Sequence, residues 1–300
     1  MEGLLIVDKP DGMTSHDVVN RVRRILKTKR VGHTGTLDPF ATGVMVILVG
    51  QATRLAQFLD KDEKEYEAEI QLGAETDTGD RTGTITADAG LEGDELEARV
   101  ASINWGEVLS KFRGKIMQVP PMYSAKKVEG KKLYELARQG REIERNAVPV
   151  TIHALEIVER EPATSGSAVR ARVACSAGTY IRTLAEDIGR AVGLGAHLTG
   201  LRRTRAGRFG IEQAITLDEL AEMSEAGSAL QPMAEAVSHL PEMVLSEERA
   251  AKTRNGLSSN KSDLKIDAQF VRMIDETGRL IAVGQYRLDE KSVQPKVVFG

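Results

Sequence analysis

Hydrophobic positions along the chain fall into two spacings, and these assign most of the elements. In residues 14–26, "TSHDVVNRVRRIL", Val18, Val22, Ile25 and Leu26 recur at helical intervals. Thr14 or Ser15 is available as N-cap, and Asp17 lies in the first turn. An amphipathic helix with a basic outer face follows. The short apolar run "MVILVG" ends at Gly50 and reads as a buried strand, with "ATRLAQFL" continuing as a helix. "EYEAEIQL" alternates Tyr66, Ala68, Ile70 and Leu72 with Glu65, Glu67, Glu69 and Gln71, as a half-buried antiparallel strand does. In "AVRARVACSAGTYIRTLAEDIGRAVG" a strand bearing Val169, Ala171, Val173 and Cys175 turns at Gly178. A helix then buries Ile181, Leu184, Ile188 and Val192. That order puts Tyr180 and Arg182 at the opening of a helix, where strand ends often present functional groups.

Beyond "LPEM" the texture changes. "SEERAAKTRNG" reads as a short helix, "FVRMIDETGRLIAVGQY" as a hairpin about "DETG", and "QPKVVFG" as a closing strand. These features suggest a small β-rich second domain over residues 243–300, following a first domain over residues 1–242. A proline- and lysine-rich stretch, residues 119–150, has the composition of a protruding arm.

Composition narrows the function. The 41 Lys and Arg against 44 Asp and Glu give a formal charge of −3, but the signs are segregated. Residues 21–30 hold six bases and no acid, "RRTRAGR" at 202–208 is another basic cluster, and residues 60–97 carry most of the acidic excess. Separate basic faces suit a polyanionic partner once other features agree. A single cysteine, Cys175, excludes an intramolecular disulfide framework and multi-cysteine metal clusters. No leader pattern and no long apolar run is present, so a cytoplasmic protein with no membrane association is expected.

Several common chemical motifs are missing: the phosphate loop, HExxH, CxxC, the nucleophile elbow and the dinucleotide fingerprint. "DTGDRTG", residues 77–83, superficially suggests a calcium loop but lacks the ligand alternation and the closing glutamate. What stands out is "GHTGTLDPFATG", residues 32–43, with one carboxylate, one imidazole and three threonines in a dozen positions on a loop before a strand. Asp38 there is either a turn former or a catalytic acid, and the local sequence is compatible with both.

The segments "LLIVDKPDGMTSHDVV", "RVGHTGTLDPFATGVMVILVGQATR", "EKEYEAEIQLGAETDTGD", "PPMYSAKKVEGKKLYELARQG" and "CSAGTYIRTLAEDIG", in this order, resemble the bacterial TruB family of tRNA pseudouridine-55 synthases. The similarity runs over residues 3–209 and is weaker beyond. It implies a mixed α/β catalytic domain around an antiparallel sheet, with a small PUA-like β domain that binds RNA. Uridine 55 in the T-loop would be flipped out, its glycosidic bond broken, and the uracil rejoined through C5, without a cofactor.

Under that resemblance Asp38 is the essential carboxylate, acting at C1′ or taking a proton from C2′. Arg182 keeps it ionised. Tyr66 stacks on the uracil and removes the C5 proton, which a phenol of pKa about 10 does only in a perturbed site or through a relay. Tyr180 and Leu201 would pack about the nucleotide, and His33 would occupy the space left by the flipped base, on one loop with Asp38. Lys9 and Pro10 read as structural support. Lys127, Lys132 and Arg141 on the arm are candidate backbone contacts, and Lys126 makes that arm more basic than is usual. The RNA partner would be the T-arm of tRNA, bound by a monomer without a protein partner. Truncation near residue 243 is expected to weaken binding while sparing the maximal rate, provided the rest folds. Two alternatives compete with this reading: a guide-RNA-dependent subunit acting on ribosomal RNA, and a non-catalytic RNA chaperone for which Asp38 would be dispensable.

Overall fold

The computed structural model describes residues 1–59, 62–124, 127–128, 131–132, 143–158, 167–260 and 269–300. Following the chain, the strands are β1 (Gly3–Lys9), β2 (Val31–Thr34), β3 (Thr42–Val49) and β4 (Lys64–Leu72), then a ribbon of β5 (Ala74–Thr76) and β6 (Ile85–Asp88). After β7 (Gly114–Gln118) comes a second ribbon, β8 (Lys127–Val128) with β9 (Lys131–Lys132), followed by β10 (Val148–Ile157), β11 (Ala168–Cys175), β12 (Ala196–Ala206) and β13 (Phe209–Gly210). Among the described residues the main sheet runs β1-β3-β12-β4-β11-β10-β7, with β2 added on β3 and β13 on β12.

The sheet is antiparallel, as its alternating strands imply, except where β12 meets β3 in parallel through Arg202 opposite Thr42 and Arg203 opposite Gly43. That one departure from the expected antiparallel sheet brings β12 against the strand leaving the Asp38 loop. It also demands a glycine. Gly43 has φ +100°, and a Cβ there would lie 2.2 Å from the Arg203 carbonyl oxygen.

The charges on β4 explain why its neighbours carry arginines. Glu69 and Glu67 face Arg170 and Arg172 across β11, Glu67 also faces Arg202 on β12, and Glu65 holds Arg205 at 2.7 Å. On the opposite face Ala68, Ile70 and Leu72 are buried against the helix Ile181–Ala191 through Leu184, Ala185 and Ile188, whereas Val192 is only partly covered. The helix Ser15–Ile25 takes Thr14 as its N-cap in a capping box with Asp17, and packs Val18, Val19 and Val22 on β1 and β3.

The second sheet orders as β14 (Glu242–Leu245), β16 (Phe270–Asp275), β17 (Leu280–Arg287), β18 (Ser292–Val298) and β15 (Ser259–Asn260). The "DETG" turn is held by Asp275, whose carboxylate accepts from the backbone N–H groups of Thr277 and Arg279. This sheet is not an appendage. Ile274, Leu280, Val283, Val297 and Phe299 share one core with Leu4, Ile6, Val44, Val46 and Leu48 of the main sheet. Arg54 donates to the Val298 carbonyl at 2.5 Å and lies 5.5 Å from the Phe299 ring centroid. No helix among the described residues is long and apolar enough to cross a membrane.

Candidate active site

A cleft of about 250 Å³ opens where the 35–38 loop, β4, β12 and the start of the Ile181–Ala191 helix converge. It is lined by Asp38, Tyr66, Tyr180, Arg182 and Leu201 of the sequence candidates, joined by Lys64, Ser124 and Arg203. The five candidates come from four separate segments of the chain. The parallel β3–β12 pairing and the β4–β12 ladder, which sets Leu201 beside Ala68 and Arg203 beside Tyr66, put them around one hollow.

Asp38 is positioned from beneath by two groups. Lys9, at the end of β1, is fully buried, and its Nζ donates to the carbonyls of Pro10 at 2.8 Å, Pro39 at 2.9 Å and Ala41 at 2.6 Å. Burial pushes the Lys9 ammonium down to about 8. Three carbonyls nonetheless call for three N–H donors, which only the charged form supplies. Ser15, freed from capping by Thr14, donates to the Leu37 carbonyl at 3.0 Å and accepts from the Leu37 N–H at 2.9 Å. The loop is therefore pinned on both sides of Asp38.

Arg182 meets the carboxylate side-on, with Nε 2.9 Å from Oδ2 and Nη2 3.2 Å from Oδ1. Two further hydrogens go to the carbonyls of Thr78 at 2.8 Å and Tyr123 at 2.7 Å. Nη1 also lies 3.6 Å from the buried carboxylate of Asp80. One guanidinium thus serves two acids. Burial pushes the Asp38 carboxyl up from its ordinary value, and Arg182 opposes that shift. A third of the Asp38 side chain remains open to the cleft while Arg182 is 5% exposed, so the charge is held from the protein side and offered on the other.

Tyr66 is buried opposite Arg203 on β12, itself fully enclosed and fixed through Nε to the Val44 carbonyl at 2.7 Å and Nη2 to the Gly35 carbonyl at 2.9 Å. Burial raises the phenol above its ordinary value, and the Arg203 charge works against that. Burial thus shifts the phenol away from the phenolate form.

His33 is not on the Asp38 loop, contrary to the sequence expectation. It lies on β2 opposite Ile47, half-buried, outside the cleft lining, because the apolar β3 run pairs with residues 31–34 as well as with β1. Pro10 supports the loop through its carbonyl and borders a neighbouring hollow with Lys9. Lys127 and Lys132 face each other across the β8–β9 ribbon. Arg141 and Lys126 lie outside the described residues.

Sequence reasoning missed Asp80, Arg203, Ser15 and Lys64. Asp80 was hidden in the apparent calcium loop; its Oδ1 accepts from Thr78 Oγ1 at 2.9 Å and from the Thr82 N–H at 2.9 Å, and its Oδ2 faces Arg182. Arg203 ends the "GLRR" that contains Leu201, where one more arginine in a basic cluster gives no signal of burial.

Residues 23–181 match the family described as TruB family pseudouridylate synthase (N terminal domain), and residues 182–250 match the tRNA pseudouridylate synthase B C-terminal domain. The chain is 46% identical over 302 residues to the tRNA pseudouridine synthase B of Heliobacterium modesticaldum, an alignment covering 100% of this chain and 96% of that protein. To the tRNA pseudouridine synthase B of Bacillus cereus it is 42% identical over 291 residues, covering 95% of this chain and 93% of that one. Among solved structures, it is similar to a chain in an H/ACA RNP bound to a substrate RNA containing 2'-deoxyuridine, with TM-score 0.71 and 27% identity over 99% of this chain and 85% of that one. A chain of the archaeal box H/ACA sRNP Nop10-Cbf5 complex matches with TM-score 0.69 and 28% identity, over 99% and 86%.

Proposed function

The chain belongs to the TruB family of pseudouridylate synthases, and from that premise we propose that it isomerises uridine 55 in the T-loop of tRNA. The enzyme is a tRNA pseudouridine synthase, an isomerase. Uracil leaves C1′ through N1 and returns through C5, so atoms and oxidation state balance within the substrate and side chains suffice for the chemistry. The nucleotide flips out of the stack, at a cost of roughly a few kcal/mol, into the cleft between Asp38 and Tyr66. The Asp38 carboxylate acts on the ribose, either at C1′ as nucleophile or on the C2′ proton as base. Both routes need it ionised, which the Arg182 fork favours.

Tyr66 lies against the base, and its hydroxyl, beside the Arg203 charge, takes the C5 proton in a relay that passes its own proton on. Tyr180 and Leu201 enclose the nucleotide. His33, five residues before Asp38 on β2, holds the opened RNA outside the pocket, while Lys9 and Pro10 support the loop. Lys127, Lys132 and Arg141 of the arm, residues 119–150, meet phosphates of the T-arm. We assign residues 1–242 to catalysis and 243–300 to a PUA-like RNA-binding domain, in a cytoplasmic monomer that needs no protein partner.

The observation that carries this reading is the two-point contact between buried Arg182 and half-open Asp38 beside a buried tyrosine. The guide-RNA alternative draws on the likeness to H/ACA proteins, but that likeness is 27–28% in sequence, against 46% to a tRNA pseudouridine synthase B. Incubating purified protein with an unmodified tRNA transcript, without guide RNA, and mapping pseudouridine along it tests the two together. Pseudouridine at position 55 is expected; an unmodified transcript, or conversion elsewhere only, would overturn the proposal.

A further inference from the structure

Gln118, the last residue of β7, is a fully buried amide with both ends spent on a single distant residue. Its Oε1 accepts from the Tyr180 N–H at 2.9 Å, and its Nε2 donates to the Tyr180 carbonyl at 3.0 Å. This is the pairing that a neighbouring strand would supply, made by a side chain where the strand has ended. An enclosed amide is costly unless both ends are satisfied, so the geometry about Tyr180 is tightly defined.

Tyr180 is the residue from which the Ile181–Ala191 helix starts, and its carbonyl also accepts the first-turn N–H of Leu184 at 3.1 Å. Two residues on, Arg182 reaches Asp38. The same helix turn is tied to the segment that follows Gln118, by Arg182 Nη2 to the Tyr123 carbonyl at 2.7 Å and by Thr183 Oγ1 to the Val119 carbonyl at 3.5 Å. Gln118 itself is not part of the cleft lining. It acts on the helix and not on the RNA.

We propose that Gln118 is a positioning residue for the isomerisation: its carboxamide fixes the start of the Ile181–Ala191 helix, and through it the seating of Arg182 on Asp38 and of Tyr180 in the cleft. The assignment rests on the roles given above to Asp38 and Arg182. Its loss lowers the rate of the bound complex and leaves RNA affinity nearly unchanged.

The test uses Gln118→Glu, which keeps the shape and makes the clamp depend on a proton. The acid form retains both contacts, donating to the Tyr180 carbonyl and accepting from its N–H; the ionised form has no donor and sets a charge against that carbonyl. Burial raises such a carboxyl, so the acid form persists toward neutral pH. With kcat measured on tRNA where melting curves show both proteins folded, the ratio of variant to wild type should be near one at about pH 5.5 and fall at least about tenfold by pH 8, because small misplacements of reacting groups cost up to about 10²-fold. KM should move less than about twofold. Gln118→Met, of similar length without either contact, should lose about tenfold in kcat at every pH, and it decides the matter alone if the glutamate variant does not fold. A ratio flat with pH, or a methionine variant with wild-type kcat, would overturn the proposal. Asp38→Asn is run alongside. Turnover by that variant would overturn the reading of the site itself, whereas a flat Gln118→Glu profile beside an inactive Asp38→Asn would remove only the positioning role.

Discussion

Replacing Lys9 by methionine separates the support of the catalytic loop from its chemistry. Methionine keeps the length and apolar stem of lysine but withdraws three hydrogen bonds from the carbonyls of Pro10, Pro39 and Ala41. The Ala41 carbonyl is buried, and leaving it without a donor costs about 1–3 kcal/mol. The contacts to Pro10 and Pro39 are only partly enclosed, so water replaces the ammonium there and each adds about 0.5–1 kcal/mol. Against this, a neutral side chain recovers the desolvation that pushes the ammonium down to about 8. That recovery is about 3 kcal/mol at pH 7 and offsets most of the loss, so the variant should lie within about 2 kcal/mol of wild type there, read from urea midpoints at unchanged slope.

The sign of the pH dependence is fixed by the same group. Its pKa is 10.5 ordinarily and about 8 in the folded protein. Between those values the unfolded chain holds a proton that the native state has released, so the native protein gains stability as pH rises through that window. Lys9→Met lacks this gain, and the difference between the two proteins should move in favour of the wild type from pH 8 upward. Activity should fall about 10- to 100-fold through displacement of Asp38. A stability difference that does not move in favour of the wild type above pH 8, or a variant with wild-type activity, would refute the account of Lys9.

The rate of the wild-type enzyme should fall in acid as the Asp38 carboxyl protonates, with a midpoint above the ordinary carboxylate value because burial raises it; a midpoint at or below that value in a pH–rate profile would count against the cleft electrostatics. Above about pH 8 the rate should fall again as Lys9 loses the third donor of its clamp. Tyr66→Phe keeps the ring and deletes the hydroxyl, so single-turnover assays should show RNA bound without normal product; a near-wild-type rate would assign the C5 proton to another group. Deleting residues 243–300 should do more than weaken RNA binding, because Ile274, Leu280, Val283, Val297 and Phe299 belong to a core shared with β1 and β3. At about 1.5–3 kcal/mol for each buried side chain the loss is on the order of 10 kcal/mol, and a truncated chain with a wild-type melting temperature would refute the shared core.

How much of this was legible in the sequence depended on range. Period-two alternation placed β4 and β11, and helical spacing placed the Ile181–Ala191 helix with Tyr180 and Arg182 at its opening, because both are local consequences of burying one face. Asp38 drew attention by local composition alone. The parallel β3–β12 pair left no such trace, since a crossover is a property of the whole sheet, and with it Arg203 went unread. Asp80 looked like part of a turn, which it is; only the 3.6 Å approach of Arg182 gives it a second role. His33 was placed on a loop because four residues of β2 are too few to show a period, and their pairing partner is already paired on its other edge with β1. The proviso attached to truncation, that the rest still folds, rests on a contact equally unmarked in the local sequence, as nothing there signals that the C-terminal strands cover β1 and β3.

The account turns on Asp38 as the group that acts on the ribose. Asp38→Asn removes the charge and preserves the shape, leaving the Arg182 contact one hydrogen-bond acceptor. Purified wild-type and variant proteins, each shown by filter binding to hold an unmodified tRNA transcript, are incubated with it to completion, and pseudouridine is mapped at single-nucleotide resolution. Conversion at uridine 55 by the wild type, and bound but unmodified RNA with Asp38→Asn, is the predicted result; pseudouridine formed by the variant at an appreciable rate would contradict it.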